Sequence, residues 1–147
     1  MQPLLTYRGS VAASHCDHMG HMSVMWYVSK FDEATWNLLA AVGVTPSYMR
    51  ETNHGMVAVE HRLAYKRELL AGDILEVHSQ VFEIRPKAIV FAHQMSNAET
   101  GEVAAECQFT GVHLNRATRK AAPFSDAMRC AAERYMAETI ELIPDAA

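Results

Sequence analysis

The stretch Ser14-His15-Cys16-Asp17-His18-Met19-Gly20-His21-Met22-Ser23, running directly into Val24-Met25-Trp26-Tyr27-Val28, decides how this chain is organised. Its first part is polar, rich in histidine and broken by Gly20, the composition of a tight turn. Its second part opens a segment in which Val24, Val28, Phe31, Thr35, Leu38 and Val42 recur at three- and four-residue spacing. Lys30, Asp32, Glu33 and Asn37 lie mostly elsewhere on the helical wheel. The pattern predicts an amphipathic helix that Ser23 can cap, ending at Gly43, with Pro46 preventing continuation. A carboxylate just before such a helix stands beside backbone N–H groups that lack partners in the helix itself. That is a layout for acyl transfer: the acid acts as base or nucleophile, and fixed donors hold the charge growing on a carbonyl oxygen.

On either side of this unit the hydrophobic period changes. Residues 3–12 alternate loosely and suggest a first strand. An irregular stretch through Glu51, Asn53 and Gly55 follows the helix. Val57, Val59, His61, Leu63 and Tyr65 then alternate with Ala58, Glu60, Arg62, Ala64 and Lys66, the mark of a half-buried strand. Gly72-Asp73, Arg85-Pro86-Lys87 and 97–101 are turn signals that separate further strands over 74–84, 88–95 and 103–114. The tail at 125–141 is helical by composition and is expected to pack peripherally. One apolar helix followed by consecutive strands with short turns argues an α+β domain in which an antiparallel sheet wraps a central helix. With no repeat, low-complexity tract or Gly/Ser linker, 1–147 reads as one domain, with a core near 4–122 and a helical tail near 123–141.

Composition narrows the partners. The chain has 147 residues, 13 Lys and Arg against 17 Asp and Glu, and a formal net charge of -4. That balance gives no global attraction to nucleic acid or to an anionic membrane, so a phosphate-bearing ligand has to be met by local cations. The longest nearly apolar run, near 38–44, is far short of the roughly 20 residues that cross a bilayer. The three cysteines, Cys16, Cys107 and Cys130, are widely spaced and follow no secretory-type start, which suggests free thiols in a cytoplasmic protein.

The run Cys16-Asp17-His18-Met19-Gly20-His21-Met22, the helix carrying Tyr27 and Phe31-Asp32-Glu33-Ala34, and Tyr65-Lys66-Arg67-Glu68 with Gly72-Asp73 resemble a hotdog-fold acyl-CoA thioesterase of the 4-hydroxybenzoyl-CoA thioesterase-like superfamily. The resemblance implies about five antiparallel strands curled around the helix. It also implies a homo-oligomer, either a dimer joined edge to edge or a dimer of dimers (a homotetramer), with active sites at the dimer interface. It assigns Asp17 the catalytic carboxylate and the backbone N–H of Val24 the oxyanion donor. Ser23 stands where an Asn is frequent in that family, which affects a side-chain contact but not the backbone donor.

The expected reaction is hydrolysis of a small or medium acyl-CoA to the free acid and coenzyme A, without a metal or other cofactor. Asp17 serves as general base for water or as nucleophile through an anhydride. His21 is a weaker catalytic candidate, equally suited to bonding a nearby carbonyl. Tyr27, His61, Arg85, Lys87, Arg116, Arg119 and Lys120 are candidate substrate-binding residues, the cations as partners for the phosphates of coenzyme A. Trp26, Tyr27 and Trp36 offer an aromatic wall of the kind that holds a quaternary ammonium group, as in a betaine-type thioester. His15, Cys16, His18 and His21 are zinc-ligand types, but their crowded spacing and the lack of a second pair argue against a metal. Two other readings stay open: a non-catalytic acyl-CoA sensor, and a dehydratase acting on a 3-hydroxyacyl thioester, to whose Asp/His spacing Asp17 and His21 come close.

Overall fold

The computed structural model describes residues 3–136. Its elements run β1 (Leu4–Ser10), a single 3-10 turn at Ala13–His15, α1 (Val24–Ala41), α2 (Pro46–Thr52), β2 (His54–Tyr65), β3 (Ile74–Ile84), β4 (Ala88–Asn97), β5 (Val103–Asn115) and α3 (Asp126–Glu133). The five strands form one sheet in the order β1-β3-β4-β5-β2, and every neighbouring pair is antiparallel. The expected α+β architecture, an antiparallel sheet against one long helix, is therefore present. Because β2 pairs only with β5, the chain crosses from one sheet edge to the other by way of α1, which lies across the face between them.

The helical periodicity is realised as packing. Tyr27, Phe31, Ala34, Leu38 and Leu39 of α1 are buried, in two apolar clusters. The first joins Tyr27 and Phe31 to Leu69, Leu75, Val77 and Met95. The second joins Leu38 and Leu39 to Val81, Ile89 and Phe91. Between them His93 is buried, its ring nitrogens bonded to Thr35 Oγ1 and to Ser79 Oγ. The Thr35 hydroxyl donates to the Phe31 carbonyl, so His93 Nε2–H donates to Thr35, and in the neutral imidazole Nδ1 is left as an acceptor facing the Ser79 hydroxyl. Both ring nitrogens are satisfied by a neutral imidazole, and burial, aided by nearby His61, pushes the His93 pKa down to about 3.

Four details differ from the reading of the sequence. Ser23 is the N-cap residue of α1 by position, but its side chain makes no capping bond. Pro46 stops α1 as expected and also begins α2 over residues read as irregular, with Thr45 Oγ1 accepting from Tyr48 N at 3.1 Å. Proline suits a first helical turn because its missing N–H would have been unpaired there anyway. In β2 the pairing with β5 shifts between Ala58 and Glu60, so Val59 is an extra, bulged residue. A bulge reverses the parity of the strand: Met56 and Ala58 face α1 before it, His61 and Leu63 after it, and Val57 and Val59 do not share the His61 face. Finally, α3 is not peripheral, since Met128 and Ala132 are buried in the second cluster beside Leu39 and Val42. The rest of the expected tail helix, from residue 137, lies outside the described residues.

Candidate active site

The Asp17 turn is built from backbone bonds. Asp17 N donates to His21 O at 3.1 Å, Gly20 N donates to Asp17 O at 3.0 Å, and Ser23 N donates to His15 O at 2.9 Å. Gly20 turns the chain at φ 85°, in the left-handed region where a side chain is strained. Asp17 Oδ1 accepts from Met19 N at 2.9 Å, which fixes the carboxylate within the turn. The turn is tied in place by Met22 N, which donates to Leu69 O at 2.8 Å.

Directly after the turn, α1 starts with open donors. Trp26 N and Tyr27 N reach back to Ser23 O, at 3.0 and 3.4 Å. The N–H groups of Val24 and Met25, the first two of the helix, have no acceptor within it. Val24 and Met25 are 60% and 66% exposed, and the Ser23 hydroxyl does not cover them. An exposed carboxylate and a pair of uncapped helical donors thus lie on consecutive pieces of one tied loop. This arrangement can present a base or nucleophile and an oxyanion-binding group to one acyl carbon.

The other candidates separate into groups. His21 bonds the Met22 carbonyl through Nδ1 at 3.3 Å and stands 3.8 Å from Glu68. Tyr27 is 4% exposed, donates its hydroxyl to Arg67 O at 3.2 Å and meets the Tyr65 ring edge-on, so it braces α1 against the segment after β2. Arg85 forms a two-point pair with Glu83 at 3.0 and 3.1 Å on the sheet face away from α1. Lys87 accepts a bond from His113 N through its carbonyl, at the far end of β4 from the Asp17 turn. Of the proposed aromatic wall, Trp26 lies against His15 with ring centres 3.9 Å apart and planes tilted by 30°, and only Trp36 lines an open groove.

That groove, about 400 Å³ in volume, runs between α1 and β2 from Met25 to Trp36, past Asp32, Met56, His61 and Phe109. The His61 ring meets Phe109 edge-on at 5.2 Å. Burial against its neighbours lowers the His61 pKa and the charge of Asp32 raises it, burial being the larger effect. Asp32 is the one carboxylate lining the groove and has no ion pair among the described residues. A second groove of about 410 Å³ continues from the shared Trp36, Met56 and Val57 and is lined by Arg50, Arg116 and Arg119. Lys120 does not line it, whereas Arg50, which no sequence signal singled out, does. Among the described residues no group of three or more His, Cys, Asp or Glu could hold a metal, and no helix is long and apolar enough to cross a membrane.

Fold and loop together define the hotdog class, a sheet wrapped on one helix with a carboxylate turn at the helix start. A family model described as the thioesterase-like superfamily matches residues 11–131, and the chain belongs to that family. It is 25% identical over 123 residues to a betainyl-CoA thioesterase of Pseudomonas aeruginosa, covering 84% of this chain and 77% of that one. It is also 25% identical over 129 residues to the long-chain acyl-CoA thioesterase FadM of Escherichia coli, covering 88% and 94%. An L-carnitine dehydrogenase/betainyl-CoA thioesterase of Agrobacterium fabrum is 26% identical over 97% of this chain, which spans only 29% of that longer protein. A hypothetical protein of Staphylococcus aureus, solved in complex with CoA, has the same fold at TM-score 0.85 and 17% identity, over 99% of this chain and 92% of that one.

Proposed function

We propose that this protein hydrolyses an acyl-CoA thioester to the free acid and coenzyme A. The observation that carries this is the uncapped start of α1 beside the Asp17 turn. Attack on a thioester carbonyl becomes easier when the tetrahedral oxyanion meets donors already in place rather than reorganising water. Val24 N–H is such a donor, and Asp17 is the carboxylate that activates water or attacks directly. In the first route Asp17 takes a proton from the attacking water, the C–S bond breaks and that proton passes to the departing thiolate; in the second Asp17 displaces the thiolate itself, and water then cleaves the anhydride to free the acid and restore the carboxylate. A non-catalytic sensor has no use for an open donor pair behind a fixed carboxylate, and a dehydratase wants His21 free, whereas its ring engages the Met22 carbonyl.

The working unit in this reading is a dimer formed through β2, with the active sites at the interface. β2 is a twelve-residue sheet edge with Val57, Val59 and Tyr65 38%, 59% and 47% exposed. A long edge with exposed apolar side chains is normally covered. The acyl group is assigned to the groove between α1 and β2, and Asp32 beside Trp36, His61 and Phe109 suits a cationic acyl group. Betainyl-CoA therefore belongs in the assay panel, alongside short and long neutral acyl-CoAs. Thiol release measured across that panel tests the activity, and Asp17→Asn is expected to lower hydrolysis at least ~10²-fold with folding intact. A fully active variant removes Asp17 from the chemistry.

A further inference from the structure

We infer that the neutral ring of His15 is a positioning element of the active site: it braces the Asp17 turn against the start of α1, and protonating it releases the turn and stops turnover. What is turned over comes from the thioesterase reading above; the bonds that hold the turn do not depend on it.

The loop that carries Asp17 is fastened firmly at its two ends. At one, Val11 N donates to Asp73 O at 2.9 Å and Gly72 N donates back to Val11 O at 2.8 Å. At the other, Met22 is buried and bonded to Leu69. Every residue from 12 to 21 is exposed or half-buried, so bonds rather than burial must hold this stretch in shape. His15 is where those bonds meet. Its N–H donates to Ala12 O at 2.9 Å, and its carbonyl accepts from Ser23 N, the residue that precedes the proposed oxyanion donor. Its ring lies against Trp26 in the first turn of α1, and Nδ1 accepts from Ala12 N at 3.1 Å. One side chain thus reaches both the incoming end of the loop and the helix that follows it.

The ring bond fixes a protonation state. A backbone N–H can only donate, so Nδ1 must offer a lone pair and the imidazole carries its proton on Nε2. A second proton would set one N–H against another. The surroundings oppose that proton too. Burial lowers the His15 pKa, and the charge of Lys30 lowers it further. Lys30 comes from α1, is 3% exposed and donates to the Tyr7 hydroxyl at 3.2 Å. Along the loop itself the titratable neighbours are Cys16, Asp17 and His18, and the Asp17 carboxylate is engaged by Met19 N; the preceding Ser10-Val11-Ala12 carries none. The face of Trp26 attracts an imidazolium, but only a ring turned away from Ala12 N escapes the clash of donors. Since the folded pKa lies below the ordinary 6.5, the brace is complete above that pH and is lost as the pH falls through the lowered value. Asp17 then no longer keeps one distance from Val24 N–H, which lowers kcat and leaves the Michaelis constant as it was.

The test is the dependence of kcat on pH, from about pH 8 to about pH 5, in the wild type and in His15→Asn. Asn Oδ1 can replace Nδ1 as the acceptor for Ala12 N and does not titrate. Wild-type kcat is expected to fall at least ~3-fold below pH 6.5, whereas His15→Asn should stay within ~3-fold of the neutral wild type and remain flat. Both proteins keep Asp17 and His93, so an acid limb due to either would appear in both. His15→Ala, with no acceptor, should lose at least ~10-fold in kcat at every pH. A shared acid limb in wild type and His15→Asn overturns the inference, as does wild-type turnover in His15→Ala. A second reading needs no substitution at His15. In Trp36→Phe the remaining tryptophan is Trp26, and an imidazolium quenches indole fluorescence more than a neutral imidazole does. Its fluorescence should titrate with the same midpoint as wild-type kcat, and separate midpoints reject the link. If no acyl-CoA is hydrolysed, the thioesterase reading fails on its own. Hydrogen exchange at the Ala12 and Ser23 amides then decides the brace: relative to its intrinsic rate it should speed up through the Trp26 midpoint, and unchanged protection rejects it.

Discussion

Where α1 begins, the chain presents backbone donors and one short acid, held by a lattice of main-chain bonds among residues 15–23. Where it ends, the neighbouring groove presents three long cationic side chains with no acid to hold them. The first region is shaped mainly by main-chain bonds, to which Asp17 adds a carboxylate bond, Gly20 a left-handed turn and Met22 an anchor in the core. The second depends entirely on side chains brought together by the fold. Chemistry that stabilises a transient charge gains from donors that need no reorganisation, whereas recognition of a flexible phosphorylated tail tolerates adaptable arms. Substitutions at the two ends should therefore separate: turnover falls at the first, and the Michaelis constant rises at the second.

The largest effect is expected from Val24→Pro. Proline at the first helical position removes one N–H that has no helical acceptor, and Ser23 before it already has the extended conformation a pre-proline residue prefers, φ -76° and ψ 157°. The variant should melt as the wild type does yet lose ~10²–10³ in kcat, the usual cost of one oxyanion donor. Unchanged turnover in a folded Val24→Pro protein would break the comparison at its catalytic end, because the donor would then have to be sought elsewhere.

Between the two ends α1 rests on the buried His93, and there the handle is pH. His93 is neutral and fully bonded by Thr35 and Ser79, with its pKa near 3, whereas an unfolded histidine titrates near 6.5. Between these values the unfolded chain binds the extra proton, so stability rises with pH across the window and falls as pH drops below about 6.5. Urea unfolding at pH 6.5 and pH 4.5 should differ by roughly 2–3 kcal/mol from this group alone. His93→Gln, which can keep both bonds without titrating, should flatten that dependence. The same slope in both proteins would mean that the imidazole does not govern the centre of the helix.

The difference in legibility between the two ends has the same origin. The Asp17 turn and α1 are contiguous in the chain, so residue order and a period near 3.6 announce both, and the strands announce themselves by a period of two. The bulge at Val59 left no such mark, because Val57, Val59 and His61 alternate smoothly in sequence. Only the pairing of Glu60 with Thr110 reveals the extra residue. Tyr27 reads as a binding residue because it follows the Asp17 turn, but its helical phase directs it into the core. Arg50 is hidden for the opposite reason: Pro46 reads in the sequence as a stop rather than a start, and nothing in the spacing signals the helix that carries Arg50 to Arg116 and Arg119.

The smallest effect should come from Asp32, and it sharpens the comparison by asking what fills the groove between the two ends. Asp32 is exposed, so its attraction for a bound cation is screened by water and worth at most ~1 kcal/mol. Trp36, His61 and Phe109 add an aromatic lining that favours a quaternary ammonium by a similar amount. Asp32→Asn keeps the size and the helical position while removing the charge. For a trimethylammonium acyl-CoA it should raise the Michaelis constant about 3- to 5-fold, with turnover unchanged. For a neutral acyl-CoA of the same length it should do nothing or lower it, since no carboxylate then borders the apolar wall. A groove that holds the acyl group must show this difference in sign. If both substrates respond alike, the carboxylate is merely a solvated residue of α1 and the acyl group lies elsewhere along the interface.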